Sequence, residues 1–168
     1  MNKDMQKELV VYFDLDGTVA RWRSVPQWVT KLPLYFLLLR REDKLVLLFR
    51  RMKRLGYDVR VLSKSYNWRS SLEKYLWAKL SGLNGPIVLV PYGESKLRYI
   101  EKDKKTVLID DYSRNLHEFV SAGKGMAGVK FMNDVNGHFG TWKGRKISKD
   151  LSISKMKNII LSAAEDAA

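Results

Sequence analysis

Five short apolar runs, residues 9–13, 57–62, 87–90, 106–109 and 129–132, recur along the chain, and segments of helical periodicity lie between them. Runs this short, rich in branched and aromatic residues and closed by turn residues, read as strands buried on both faces. Leu45, Leu48, Phe49 and Met52 mark a helix over 43–55 with Gly56 as its stop. Leu72, Tyr75, Leu76 and Leu80 form one stripe of a second helix over 68–80, and shorter helices are predicted at 95–102 and 113–122. Gly85-Pro86 and Pro91 punctuate the third strand. This alternation predicts an α/β domain, a three-layer Rossmann-like arrangement around a mostly parallel sheet. Such sheets gather ligands at the carboxyl ends of their strands. Asp14 and Asp16, Ser63, and Asp110 and Asp111 stand at those ends.

A chain of 168 residues, 45% hydrophobic and 29% charged, supports one domain with a real core rather than a disordered coil. The absence of cysteine excludes disulfides, thiolate metal sites and cysteine nucleophiles. The polar start, Met-Asn-Lys-Asp-Met-Gln-Lys-Glu, lacks the apolar core of a signal peptide, and the greasiest window, 32–39, is too short to span a bilayer. The expectation is a soluble cytoplasmic protein with no membrane partner. Thirty-one Lys and Arg against 18 Asp and Glu give a formal charge of +13. Such a field attracts polyanions and phosphorylated substrates, or serves solubility alone. No stretch matches the aromatic signature of an RNA-recognition module.

Residues 12–18 read Tyr-Phe-Asp-Leu-Asp-Gly-Thr. Residues two apart on a strand point the same way, so Asp14 and Asp16 project toward one small volume. Paired carboxylates there hold a divalent cation, or divide labour as nucleophile and general acid. The competing reading is a turn in which both cap backbone amides. A second acidic pair, Asp110-Asp111, closes the fourth strand, with Ser63 and Lys96 between the two pairs. This order resembles the four motifs of the haloacid dehalogenase superfamily of phosphotransferases over roughly residues 9–132.

The resemblance implies that Asp14 is the nucleophile and forms an aspartyl-phosphate, while Asp16 serves as general acid and then base. It implies that Thr18, Ser63 and Lys96 bind phosphoryl oxygens. It further implies Mg²⁺ held by Asp14, by Asp16 through its carbonyl and by Asp110, with Asp111 in or near the shell. The physics agrees: a carboxylate cannot approach a phosphate dianion until a cation screens their repulsion, and a cluster of four carboxylates can raise one member's pKa. Alternatives stay open: Ser63 or Asp111 as a helix cap, and Lys64, Lys79, Arg98 or Lys102 in place of Lys96.

The resemblance also implies a small helical cap inserted after the first strand, approximately residues 20–41. Its aromatics Trp22, Trp28, Tyr35 and Phe36 either stack on a base or sugar or pack on the body of the domain. Residues 109–116, Ile-Asp-Asp-Tyr-Ser-Arg-Asn-Leu, resemble the 5′(3′)-deoxyribonucleotidase branch, though the branch's Arg-Pro after the acidic pair is Tyr112-Ser113-Arg114 here. Residues 133–147 read as loops or a hairpin at the sheet edge, with Trp142 and Arg145 near the mouth of the site. The Ala-rich tail, 162–168, reads as dispensable. Gly123 to Gly128 match GxGxxG, but they follow a helix and precede a strand, so they make a turn and not a dinucleotide loop. His117 and His138 lack metal-ligand spacing. The resulting expectation is an Mg²⁺-dependent phosphomonoesterase acting on (deoxy)nucleoside monophosphates. The alternatives are a phosphatase of nucleic-acid ends or a non-catalytic nucleic-acid-binding protein on the same scaffold, and the oligomeric state is open.

Overall fold

The computed structural model describes residues 8–21, 25, 28–29, 32–135 and 139–167. Among these, six strands form one parallel sheet: β1 (Leu9–Phe13), β2 (Asp58–Ser65), β3 (Ile87–Pro91), β4 (Lys105–Asp110), β5 (Met126–Met132) and β6 (Lys146–Ser148). Their order is β3-β2-β1-β4-β5-β6. The helices are α1 (Asp43–Arg54), α2 (Trp68–Leu80), α3 (Ser113–Val120) and α4 (Ile153–Asp166). β1 is buried along its whole length, and its period of two sorts it between two layers. Leu9, Val11 and Phe13 enter one core with α1, Trp77 of α2 and α4; Val10 and Tyr12 enter another with Leu116 and Phe119 of α3. That is the expected three-layer α/β arrangement, with every strand pair parallel.

Strand order runs outward from β1 to β3 and then restarts with β4 on the other side of β1. Such a reversal opens a crevice at the carboxyl ends of the two strands that flank it. The register Phe13↔Ile109 sets Asp14 beside Asp110 at that point.

The structure corrects several expectations. β2 continues past residue 62 to Ser65, because β3 pairs alongside as far as Ser65↔Pro91. Ser63 is therefore a strand residue; the N-cap of α2 is Asn67, whose side chain accepts the Ser70 amide at 2.9 Å. The stripe of Leu72, Tyr75, Leu76 and Leu80 faces water, and α2 buries Lys74, Trp77 and Ala78 instead. Trp77 decides that orientation: its Nε1 donates to Leu39 O at 2.9 Å and its ring meets Phe36 edge-on at 5.5 Å.

Among the described residues the distal segment runs as loop into β6, which pairs parallel with β5 rather than closing a hairpin. The tail, expected to be dispensable, is helical through Asp166. It is the end of α4, where Ala163 and Ala164 are buried and their small side chains let the helix lie close to the sheet. Gly123 and Gly125, with φ of 122° and 80°, make the α3–β5 turn. Gly128 sits within β5 beneath Trp142, where a Cβ would come within 2.8 Å of the indole.

The insertion is pinned at its base. Arg21 N donates to Arg40 O at 2.8 Å, and Glu42 N to Val19 O at 2.7 Å. Its described part includes a short 3-10 turn, Phe36–Leu38, held against α2 by Glu73, which accepts the Leu34 and Phe36 amides at 2.9 and 3.3 Å. Trp22 and His138 lie outside the described residues. Among the described residues, no helix is long and apolar enough to cross a membrane.

Candidate active site

β1 hands Asp14 into the crevice with its amide still bound to Ile109 O at 2.9 Å. The chain then turns tightly, Ala20 N bonding back to Leu15 O at 2.8 Å and Gly17 taking φ 72°, which favours glycine. β4 delivers Asp110 and Asp111. Carboxylate oxygens of Asp14, Asp110 and Asp111 lie within 4.8 Å of one another, and all three residues are buried. Lys96 opens a 3-10 turn, Lys96–Tyr99, and sets its ammonium 2.7 Å from both Asp14 Oδ1 and Asp110 Oδ2.

Burial pushes the Asp14 carboxyl up to about 8; Lys96 opposes the rise, while Asp110 and Asp16 add to it. Burial also disfavours charge on Lys96, but Asp110 and Asp14 outweigh it and raise that pKa. The ammonium stays charged, so Asp14 is the member that gives up its charge when no further cation is near. Neutral donors also hold the other two carboxylates. Asp110 accepts from Tyr112 N at 2.8 Å and Asn115 Nδ2 at 2.9 Å. Asp111 accepts from Asn133 Nδ2 at 2.8 Å, and its amide donates to Thr18 Oγ1 at 3.0 Å.

Asp16 is separate from this triad. Its Oδ2 accepts from Ser63 Oγ at 2.9 Å and from the Lys74 ammonium, while Oδ1 has no hydrogen bond among the described residues. Lys74 is buried, also donates to Lys64 O, and lies 5.1 Å from the centre of the Phe36 ring. The sequence reading missed Lys74, because nothing local links it to a carboxylate 58 residues away.

These groups line a cavity of about 370 Å³. Asp14, Asp16, Lys74, Lys96, Asp110 and Asp111 share its lining with Lys64, Tyr66, Tyr92, Tyr112 and Asn115. Thr18 and Ser63 are fully buried and do not line it; each instead holds an aspartate, Asp111 and Asp16 respectively. No described residue of the insertion lines the cavity: Phe36 is buried on Trp77, and Trp28 is exposed elsewhere. Trp142 and Arg145 are not at the mouth. Trp142 Nε1 donates to Arg145 O at 3.1 Å, and Arg145 pairs with Asp166 on α4. His117 bonds Thr141 at 2.9 Å, away from the carboxylates.

Three buried carboxylates at two adjacent strand ends, with no His or Cys among them, are a hard-oxygen donor set that could hold a hard divalent cation. The raised Asp14 pKa points the same way, marking negative charge that a divalent cation would stabilise.

No protein-family model matches the chain, and no curated protein matches it. Among solved structures it is similar to the D,D-heptose 1,7-bisphosphate phosphatase from Burkholderia thailandensis, with a TM-score of 0.62 and 14% identity over 91% of this chain and 98% of that one. The shared property is the fold. DsGPDH of Dunaliella salina also overlaps, at a TM-score of 0.49 and 19% identity over 76% of this chain but 24% of that one, too slight a likeness to weigh.

Proposed function

We propose that this chain is an Mg²⁺-dependent phosphomonoesterase of the haloacid dehalogenase type, acting on (deoxy)nucleoside monophosphates. The observation that carries the reading is the pairing of Asp14 and Asp16 at the end of the central strand, in one cavity with Asp110, Asp111 and Lys96. The fold likeness to a phosphatase supports it. Asp14, Asp110 and Asp111, with the Asp16 carbonyl, would hold the cation, whose charge lets a carboxylate approach a phosphate dianion.

The Asp14 carboxylate attacks phosphorus, the bond to the ester oxygen breaks, and the phosphoryl group stays on Asp14 as an acyl phosphate. Asp16 gives its proton to the departing alkoxide. Ser63 and Lys74 occupy Oδ2, so Oδ1 is the oxygen left to carry that proton. Asp16 then takes a proton from water, whose oxygen attacks phosphorus, releasing inorganic phosphate and restoring Asp14. Lys96 holds Asp14 in place between β1 and β4. Lys64 lines the cavity with no acidic partner among the described residues, and it meets the phosphoryl oxygens. Thr18 and Ser63 act through the aspartates they hold rather than on phosphate.

A second reading, a phosphatase of nucleic-acid ends, is favoured by the formal +13 and by a cavity that no described residue of the insertion lines. The test is phosphate release from an aryl phosphate, nucleoside 5′- and 3′-monophosphates and phosphorylated oligonucleotides, with Mg²⁺ and with EDTA. Release that needs Mg²⁺ and vanishes in Asp14→Asn supports the chemistry, and the best substrate chooses between the readings. No release from any member by folded protein defeats both.

A further inference from the structure

β2 and β3 stay paired as far as Ser65↔Pro91, so the next residues, Tyr66 and Tyr92, leave the sheet side by side. Tyr92 N donates to Ser65 O at 2.8 Å, which fixes their spacing. The rings stack at 4.3 Å between centroids and 22° between planes. Stacking covers one face of each ring, yet the residues remain 73% and 63% exposed. Neither belongs to a hydrophobic core. Two aromatic rings held together in water, at the mouth of a charged cavity, stabilise the fold little and present bare outer faces to whatever enters.

The cation count constrains that occupant. Of the three lysines in the lining, Lys74 and Lys96 are committed to aspartates, and Lys64 alone has no acidic partner among the described residues. Among the described residues, one uncommitted cation serves one phosphoryl group. A second phosphate would meet tyrosines.

We infer that Tyr66 and Tyr92 form a stacking platform for a planar ring on the leaving group, which makes the substrate a ring-bearing phosphomonoester rather than a sugar phosphate or bisphosphate; this rests on the phosphatase reading of the cavity. Of the insertion's aromatics, Trp28, Tyr35 and Phe36 line no part of the cavity, so among the described residues the ring contact falls to the ends of β2 and β3. The pair is already ordered, so a ring stacking on it costs little conformational freedom.

Two measurements test this, on wild type, Tyr66→Ala/Tyr92→Ala and Tyr66→Phe/Tyr92→Phe. The first compares kcat/KM for adenosine 5′-monophosphate and ribose 5-phosphate, which differ by the ring. Wild type should prefer the nucleotide, the alanine pair should lose about 5- to 150-fold of that preference, chiefly through KM, and the phenylalanine pair should keep it. The second titrates adenosine, which has the ring but no phosphate, and follows the tyrosine ring protons by NMR. Adenosine binding that depends on the tyrosines, without hydrolysis of any substrate, keeps the platform and overturns the phosphatase reading. Hydrolysis with a preference and an adenosine affinity indifferent to the alanine pair overturns the platform and leaves the phosphatase. Neither hydrolysis nor adenosine binding overturns both.

Discussion

Replacing Lys96, a residue 4% exposed, by Met keeps the side chain as far as its ε carbon while deleting an ammonium 2.7 Å from each of two carboxylates. Removing one partner of a buried ion pair costs about 3–5 kcal/mol, because the remaining charge is left uncompensated. Asp110 is the carboxylate left charged without that partner. Asp14 relieves part of the cost by keeping its proton, since burial already drives its pKa up to about 8. With about 3 kcal/mol as the balance, a chain of 168 residues should lose about 6–12 °C in Tm. Circular dichroism melts at neutral pH in EDTA measure it.

Mg²⁺ adds a second arm to the same experiment. In wild type the ammonium already sits against Asp14 and Asp110 and repels an arriving cation; in Lys96→Met the cation meets those carboxylates alone. Mg²⁺ should therefore recover more Tm in the variant than it adds to wild type, while turnover stays lost. A variant that melts with wild type in EDTA refutes the buried ion pair. Equal Mg²⁺ shifts refute the idea that Lys96 and the cation share two carboxylates.

Thr18→Val preserves shape but leaves the buried Asp111 amide without its acceptor at 3.0 Å. It should cost about 1–3 kcal/mol of stability and raise the Mg²⁺ needed for half-maximal turnover about 10- to 100-fold, so an unchanged Mg²⁺ titration counts against a positioning role. Gly128→Ala places a Cβ 2.8 Å from Trp142 Cη2 and 3.3 Å from Leu116 Cδ2. Overpacking there should cost about 1–3 kcal/mol in a urea melt, and an unmoved midpoint would mean that the indole does not rest on β5. Asp58 takes a two-pronged bond from Arg60, at 2.9 and 2.7 Å, and that bonding holds its pKa below the ordinary 3.8. A depressed folded-state pKa contributes stability above the ordinary value and loses it as pH falls through the lower one. Asp58→Asn should therefore cost about 0.5–1 kcal/mol at neutral pH, with the gap closing below about pH 3.8; a constant gap would contradict the assignment.

The ends of β1 and β4 were legible because two signals coincide on the same residues. Each strand is buried on both faces and so reads as an unbroken apolar run, and each run stops on a carboxylate. Other elements carry weak signals for physical reasons. β6 contributes Lys146, Ile147 and Ser148, of which Ile147 alone is buried. The last turn of α4 buries Ala163 and Ala164, whose small apolar area barely registers as a hydrophobic stripe, although Met156, Ile160 and Leu161 before them stand at helical spacing. α2 misleads because its Leu and Tyr stripe is the strongest periodic feature of the helix, yet Trp77 and Lys74 decide which face turns inward.

Ranking the basic residues is the harder problem, since 31 Lys and Arg offer no internal order. Burial reduces the field without settling it: Lys74, Lys96 and Lys130 are all buried. Lys130 ends on Ser113 Oγ and Phe139 O, and burial lowers its pKa. Lys74 and Lys96 end on carboxylates at the strand ends. What separates a site lysine from a structural one is thus the group at its tip, which for Lys74 is brought from a distant strand by the fold. Position after the third strand favoured Lys96 as a phosphate-binding residue without excluding Lys64, Lys79, Arg98 or Lys102, and the structure sets its ammonium on Asp14 and Asp110. Lys74 sits mid-helix among residues of ordinary helix-forming chemistry, so its role exists only once α2 packs beside the end of β1.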